Sequence, residues 1–186
     1  MELIETPLVD CVILQPQVFQ DNRGYFFESY NAEKVNKLLG KKVDFVQDNQ
    51  SKSSYGVLRG LHFQKGNSAQ AKLVRVLEGK VLDVAVDLRP DSKSFGRSFA
   101  VELSDENFTQ FYIPRGFAHG FVVLSETAVF AYKCDNLYDK SAEGGLLFND
   151  PDLDIDWKVE NKDVLLSDKD KINPKFSELE FDKLWK

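Results

Sequence analysis

The chain has 186 residues, 42% of them hydrophobic, with 15 Phe and 6 Pro, which excludes disorder and fits one domain over 1–186 with a substantial core. The formal net charge of −6 argues against a nucleic-acid partner, because a phosphate backbone is held by clustered Lys and Arg. It leaves room for a small anion in a local cationic pocket.

Leu8 to Phe19 is rich in β-branched and apolar residues and predicts a strand interrupted near Pro16. Asp21-Asn22-Arg23-Gly24 carries the Asn and Gly of a turn, after which Tyr25 to Tyr30 reads as an aromatic strand. Asn31 is placed to cap a short helix over Lys34 to Leu39, and Gly40 stands where it stops. Gln47 to Gln64 reads as strand on both sides of Arg59-Gly60-Leu61-His62-Phe63. Alternation puts Arg59, Leu61 and Phe63 on one side and Gly60 and His62 on the other. A bulge at Gly60 would bring Arg59 and His62 to the same cavity.

Lys72 to Leu88 shows two β-branched runs broken at Glu78-Gly79-Lys80, the signal of a hairpin. In the second run Leu82, Val84, Val86 and Leu88 share a face that packs on a core, while Asp83, Ala85 and Asp87 face solvent or a polar cavity. Phe95 to Leu103 and Thr109 to Ile113 are further strands, and Pro114 to Phe117 is a loop. His119 to Leu124 and Ala128 to Cys134 form a strand pair around Ser125-Glu126-Thr127. Beyond Asp135 the pattern predicts a break at Asp150-Pro151-Asp152, a short strand at Ile155-Asp156-Trp157 and a last helix over Ser177 to Trp185. Short strands at spacings of about ten residues with few helices make a mainly β, antiparallel sandwich or barrel.

Cys11 and Cys134 match no metal spacing and read as buried, reduced thiols. No run reaches the roughly 18 apolar residues of a membrane span. The first residues, MELIETPLVD, lack the basic start and apolar middle of a signal peptide, so the expected location is cytoplasmic. A metal-binding cupin uses HxH, a carboxylate and a third His, whereas this chain has Leu61-His62-Phe63 and only His119 besides. With no metal set and no nucleotide-cofactor fingerprint, a site must work with side chains alone. The candidates are His62, His119, Lys72, Tyr132, Arg59, Arg23, Asp83 and the acidic residues of Leu166-Ser167-Asp168-Lys169-Asp170. Each also has an ordinary reading: a solvated Lys72–Asp83 pair, a half-buried Tyr132, a satisfied His119, a charged turn at 166–170.

Longer stretches carry more. Asp21 to Tyr30, Phe45 to Asn49, Val57 to Gln64 and Lys72 to Arg75 are followed in order by Asp83 to Asp87, Ile113 to Phe121 and Tyr132-Lys133. Glu143-Gly144-Gly145 and Leu166 to Asp170 complete the set. In these the sequence resembles the dTDP-4-dehydrorhamnose 3,5-epimerase family over nearly its whole length. The resemblance implies an antiparallel jelly-roll, cupin-like barrel with a few short helices, working as a homodimer without metal or organic cofactor. It also implies a reaction: inversion of carbons 3 and 5 of a dTDP-linked 4-keto-6-deoxyhexose, a step toward dTDP-L-rhamnose, with a single-carbon epimerase or a ketoisomerase of a related nucleotide-linked deoxysugar as the alternative.

Both carbons flank the carbonyl at carbon 4, so a proton can leave once the enolate oxygen is stabilised, and inversion needs a proton delivered from the opposite face. By resemblance His62 is the base, Asp170 (or Asp168, in the same charged segment) its carboxylate, Lys72 the cation facing the enolate and Tyr132 the acid. A phenol needs a nearby cation to release its proton readily, and Lys72 is expected to supply it. His119 and Asp83 would form a polar layer behind, with His119 also near the sugar. Arg59 and Arg23 would hold the diphosphate, for which a guanidinium is better suited than an ammonium. Gln47, Asn49 and Glu28 match nucleotide-binding positions, Phe26 would stack on thymine, and Glu143 and Lys169 match further ligand contacts. The Arg23 to Glu28 stretch is expected to cross between subunits.

Overall fold

Val, Phe and Leu runs too short to bury themselves pair into antiparallel sheets, and the computed structural model, which describes residues 1–185, shows how. The strands are β1 (Glu2–Glu5), β2 (Val12–Gln15), β3 (Val18–Asp21), β4 (Gly24–Phe27), β5 (Gln47–Ser54), β6 (Leu58–Gln64) and β7 (Lys72–Glu78). They continue as β8 (Lys80–Asp87), β9 (Ser98–Ser104), β10 (Gln110–Ile113), β11 (Phe117–Val123), β12 (Thr127–Cys134) and β13 (Glu143–Gly145). Two helices, α1 (Ala32–Leu39) and α2 (Phe181–Leu184), complete the regular structure with a few 3-10 turns.

A six-stranded sheet in the order β1-β2-β10-β7-β12-β5 faces a five-stranded sheet in the order β13-β6-β11-β8-β9, while β3 and β4 form a separate hairpin. From β5 onward most successive strands change sheet: β5 to β6, β7 to β8, β9 to β10 and β11 to β12 each cross from one to the other. This is the jelly roll. It corrects two hairpins read from the sequence, because β7 pairs with β10 and β12 while β8 pairs with β9 and β11. Gly79, at φ +79, turns the corner between sheets, where a Cβ would lie 2.1 Å from the Thr127 carbonyl oxygen. A glycine break marks a reversal but not the partners, and β8, buried on both faces, needs a neighbour on each edge and cover on each side.

The core lies in three layers. Val74, Val76, Phe111, Ile113 and Phe130 of the six-stranded sheet meet Val81, Ala85, Leu103, Phe117 and Phe121 of the other between the sheets. Outside the five-stranded sheet, Leu58, Leu61, Phe63, Leu82, Val84 and Val86 are covered by Leu146, Leu153, Trp157 and Leu184 of the C-terminal region. Outside the six-stranded sheet, Val35 of α1 packs on Val12, Leu14, Leu73 and Tyr112. Asn31 Oδ1 accepts from the Lys34 amide at 3.1 Å and Gly40 adopts φ +64, the cap and stop expected of α1.

Other expectations change in detail. Ile155 to Trp157 is irregular chain, not a strand: Trp157 donates its indole N–H to the Phe148 carbonyl at 2.8 Å and serves as cover for the sheet. The last helix shrinks to the single turn α2, preceded by a 3-10 turn at Phe176–Glu178. Leu8 to Cys11 lies outside β2, and β4 ends at Phe27. None of the helices described is long and apolar enough to cross a membrane.

Candidate active site

The strand that carries His62 breaks its own alternation. His62 stands opposite His119 and Arg59 opposite Phe121, so three steps on β6 match two on β11 and one extra residue is accommodated at Gly60. Gly60 has φ +142, and a Cβ there would stand 2.5 Å from Gly120 Cα. The bulge puts Arg59 and His62 on one side while Leu61 and Phe63 stay in the outer core. Both line a cavity of ≈ 580 Å³ together with Lys72, His119, Tyr132, Lys169 and Asp170.

His62 enters from the five-stranded sheet and Tyr132, on β12, from the six-stranded one, so imidazole and phenol stand on facing walls. His62 Nε2 is 2.5 Å from Asp170 Oδ1. Asp170 is 3% exposed and sits on a 3-10 turn at Asp170–Ile172, its amide donating to Ser167 O at 3.1 Å and Ser167 Oγ at 3.2 Å. Burial pushes its carboxyl up, but the His62 hydrogen bond and charge outweigh this and hold it below the usual carboxylate range. Asp168 instead points to solvent and pairs with Lys171, so Asp170 is the carboxylate in contact with His62.

Behind them His119 Nε2 lies 3.0 and 2.9 Å from the two oxygens of Asp83, both residues buried. Burial lowers the His119 pKa and raises that of Asp83, which favours a neutral ring with Nε2 as the donor to the carboxyl group. Lys72 reaches in from β7, its Nζ 6.0 Å from the Tyr132 ring centroid. Burial lowers its pKa, with Cys134, Asp83 and Glu143 pulling the other way. Lys72 forms no ion pair among the described residues, which leaves a desolvated ammonium facing the cavity. Burial and Cys134 raise the Tyr132 phenol and Arg59 draws it back, a second cation beside the expected Lys72. Arg59 donates from Nε to Ser53 Oγ at 3.1 Å, which orients it at the mouth.

A second recess of ≈ 240 Å³ adjoins the first and shares Asn49, His62, Lys72 and Tyr132 with it; Gln47, Tyr138 and Glu143 also line it. Gln47 donates to Asn49 Oδ1 at 3.1 Å and accepts from the Tyr138 amide at 3.0 Å. Glu143 accepts from the Tyr138 hydroxyl at 2.9 Å and pairs with Lys169. Tyr138 escaped sequence reasoning, since it lies in no patterned strand, and Ser167 entered it only as a member of the Leu166 to Asp170 stretch. Cys134 could have been found, being two residues beyond Tyr132 and so on the same face; its Sγ accepts from Asn49 Nδ2 at 3.8 Å.

Three predicted nucleotide contacts lie elsewhere in the chain. Arg23 stands at the turn of the β3–β4 hairpin, bound to Asp21 at 2.6 Å, and Phe26 is 71% exposed on the same hairpin. Glu28 just after it pairs with Lys34 at 2.8 Å. None of the three lines either recess. Among the described residues no group of three or more His, Cys, Asp or Glu could hold a metal ion, each histidine being matched to one carboxylate.

An imidazole–carboxylate pair and a phenol across a cavity between two jelly-roll sheets define a cupin-type protein equipped to move protons on a bound molecule. Its family is narrower than that. Residues 5–178 match the family model described as dTDP-4-dehydrorhamnose 3,5-epimerase, and the chain belongs to that family. The chain is 56% identical over 157 residues to the dTDP-4-dehydrorhamnose 3,5-epimerase of Salmonella typhimurium, covering 84% of this chain and 86% of that protein. It is 62% identical to the crystal structure of the enzyme of that name from Elizabethkingia anophelis NUHP1, with a TM-score of 0.93 over 100% of this chain and 99% of that one. The dTDP-6-deoxy-D-glucose-3,5-epimerase of Legionella pneumophila Philadelphia 1, solved in complex with dTDP-4-keto-L-rhamnose, is 45% identical. Its TM-score is 0.94 over 100% of this chain and 97% of that chain.

Proposed function

We propose that the chain inverts carbons 3 and 5 of dTDP-4-dehydro-6-deoxy-D-glucose, giving dTDP-4-dehydro-L-rhamnose on the way to dTDP-L-rhamnose. The observation that carries this reading is the placement of His62 and Tyr132 on facing sheets, with space for a hexose between them. His62, oriented by Asp170, takes the proton from carbon 3 or carbon 5, and the electron pair moves into the carbon 4 carbonyl. The enolate oxygen forms beside Lys72, whose unpaired ammonium stabilises it. Tyr132 returns a proton to the other face of the carbon, and Arg59 stabilises the phenolate left behind. Solvent then takes the His62 proton and reprotonates Tyr132.

In this reading Arg59 holds the diphosphate, His119 accepts a sugar hydroxyl through its free Nδ1, and Gln47 and Asn49 contact the nucleotide. Arg23, Phe26 and Glu28 act on the nucleotide of a second copy in a homodimer, a reading supported by their lining neither recess of their own chain. In this reading the enzyme works in the cytoplasm. Turnover in heavy water tests the chemistry: deuterium is expected at both carbon 3 and carbon 5 and in dTDP-L-rhamnose formed with an added ketoreductase. Label at one carbon alone makes the protein a single-carbon epimerase. His62→Asn should lose turnover by about 10³-fold while remaining folded; full activity in that variant would remove the proposed base.

A further inference from the structure

Arg59 is anchored unlike three other arginines of the chain. Arg23 pairs with Asp21 at 2.6 Å, Arg89 with Asp87 at 2.8 Å and Arg115 with Asp135 at 2.8 Å. Arg59 has no carboxylate partner among the described residues; its Nε donates to the Ser53 hydroxyl at 3.1 Å. A carboxylate fixes a guanidinium and cancels its charge, whereas a hydroxyl fixes it and leaves the charge for an incoming anion.

The backbone on both sides of this contact is firmly set. Ser53 lies near the end of β5 and Arg59 near the start of β6, and the chain turns a corner between them. At that corner Tyr55 N donates to Glu126 O at 2.9 Å, Gly56 N to Val123 O at 3.0 Å and Val57 N to Ser54 O at 3.2 Å. Leu58 N donates to Leu165 O at 3.0 Å and Leu165 N to Gly56 O at 2.8 Å, which ties the corner to a third segment. What is left to move is the long, exposed side chain of Arg59, and Ser53 gives it its one hydrogen bond among the described residues. Ser53 is 8% exposed and lines neither recess, so a ligand in the cavity meets Arg59 and not Ser53. With Nε engaged, the two terminal nitrogens form the free edge of the fork, an edge that can take two phosphate oxygens.

We propose that Ser53 is a positioning residue which anchors Arg59 through Nε without neutralising it, and so sets the affinity of the cavity mouth for a diphosphate. The inference rests on the reading of Arg59 as the diphosphate cation. A long side chain already held in one rotamer loses less freedom when the ligand arrives, so its anchor strengthens binding without touching the ligand.

The test is a double-mutant cycle on the whole protein, with dTDP binding read by calorimetry and thymidine, which carries no phosphate, titrated by NMR. Thermal melts fix a temperature at which every variant is folded. Ser53→Ala should weaken dTDP by about five- to tenfold and leave thymidine within about twofold. Arg59→Ala should weaken dTDP by about 50-fold or more. On that background Ser53→Ala should change dTDP affinity by less than about twofold, since the group it anchors is gone. Ser53→Asp, which keeps an acceptor but brings the opposing charge, should bind dTDP more weakly than Ser53→Ala. An equal loss from Ser53→Ala with and without the Arg59 side chain overturns the inference, as does an equal loss for thymidine and dTDP. Binding of dTDP by Ser53→Ala as tight as wild type, with Arg59→Ala impaired, overturns it too and leaves Arg59 as the diphosphate cation. Wild-type affinity in Arg59→Ala removes that reading of Arg59 and the inference with it.

Discussion

A lysine that must neutralise an enolate has to be charged, and a tyrosine that must donate has to be protonated, so the two set an upper limit on the working pH. Burial moves them in opposite directions here: the Lys72 pKa falls and the Tyr132 pKa rises. Lys72 therefore loses its proton at a lower pH than an exposed lysine would, while Tyr132 keeps its own beyond the usual phenol range. Activity should fall as pH rises through the folded pKa of Lys72, and that alkaline limb belongs to Lys72. With Lys72→Arg the limb should move to higher pH, because a guanidinium stays charged. Conservative changes at Tyr132 should lower kcat and leave the limb where it was. A profile of kcat against pH for the two variants decides the matter, and a limb that Lys72→Arg does not move would assign the titration to another group.

At the scale of the strand, β6 gains its function from the residue that breaks its alternation. Gly60 tolerates φ +142, and its missing Cβ lets Gly120 approach. Gly60→Ala should destabilise the fold by about 2–4 kcal/mol, lowering Tm by roughly 5–15 °C. Activity of the folded fraction should fall further than stability does, because Arg59 and His62 would no longer share a side. Thermal melts and kcat at a temperature below the transition test both halves. An unchanged kcat would mean that the bulge is not what aims the two residues.

The same strand shows why part of the site was legible. Glycine in a β-branched run signals a bulge by its backbone freedom alone, and Asn31 with Gly40 signals α1 by caps that bond within one turn. Strand partners are another matter. Gly79 and Ser125-Glu126-Thr127 mark reversals, but only the burial of β8 on both faces, a property of the assembled sandwich, decides that the chain crosses to the other sheet. The contact of Asp170 with His62 joins residues 108 apart through a segment without periodicity, so family resemblance named it where spacing could not. Tyr138 sits in such a segment too and left no trace in the pattern.

For the whole molecule, the question is where the hairpin works. Among the described residues β3 and β4 pair only with each other, and their hairpin exposes Phe19, Tyr25 and Phe26 at 56%, 56% and 71%, aromatic surface that Phe108 meets only at the edge of Tyr25. If that hairpin completes the nucleotide site of a second copy, two defective chains can repair each other. A chain with His62→Asn keeps a sound hairpin beside a dead cavity; a chain with Arg23→Ala and Phe26→Ala keeps a sound cavity beside a dead hairpin. In the heterodimer one site is built from both faults and the other from neither. Two-tag purification of that heterodimer should therefore give about half the wild-type turnover per dimer, although each parent homodimer is nearly inactive. If the hairpin serves its own chain, the heterodimer can show no more than the mean of its parents, and the shared site is excluded.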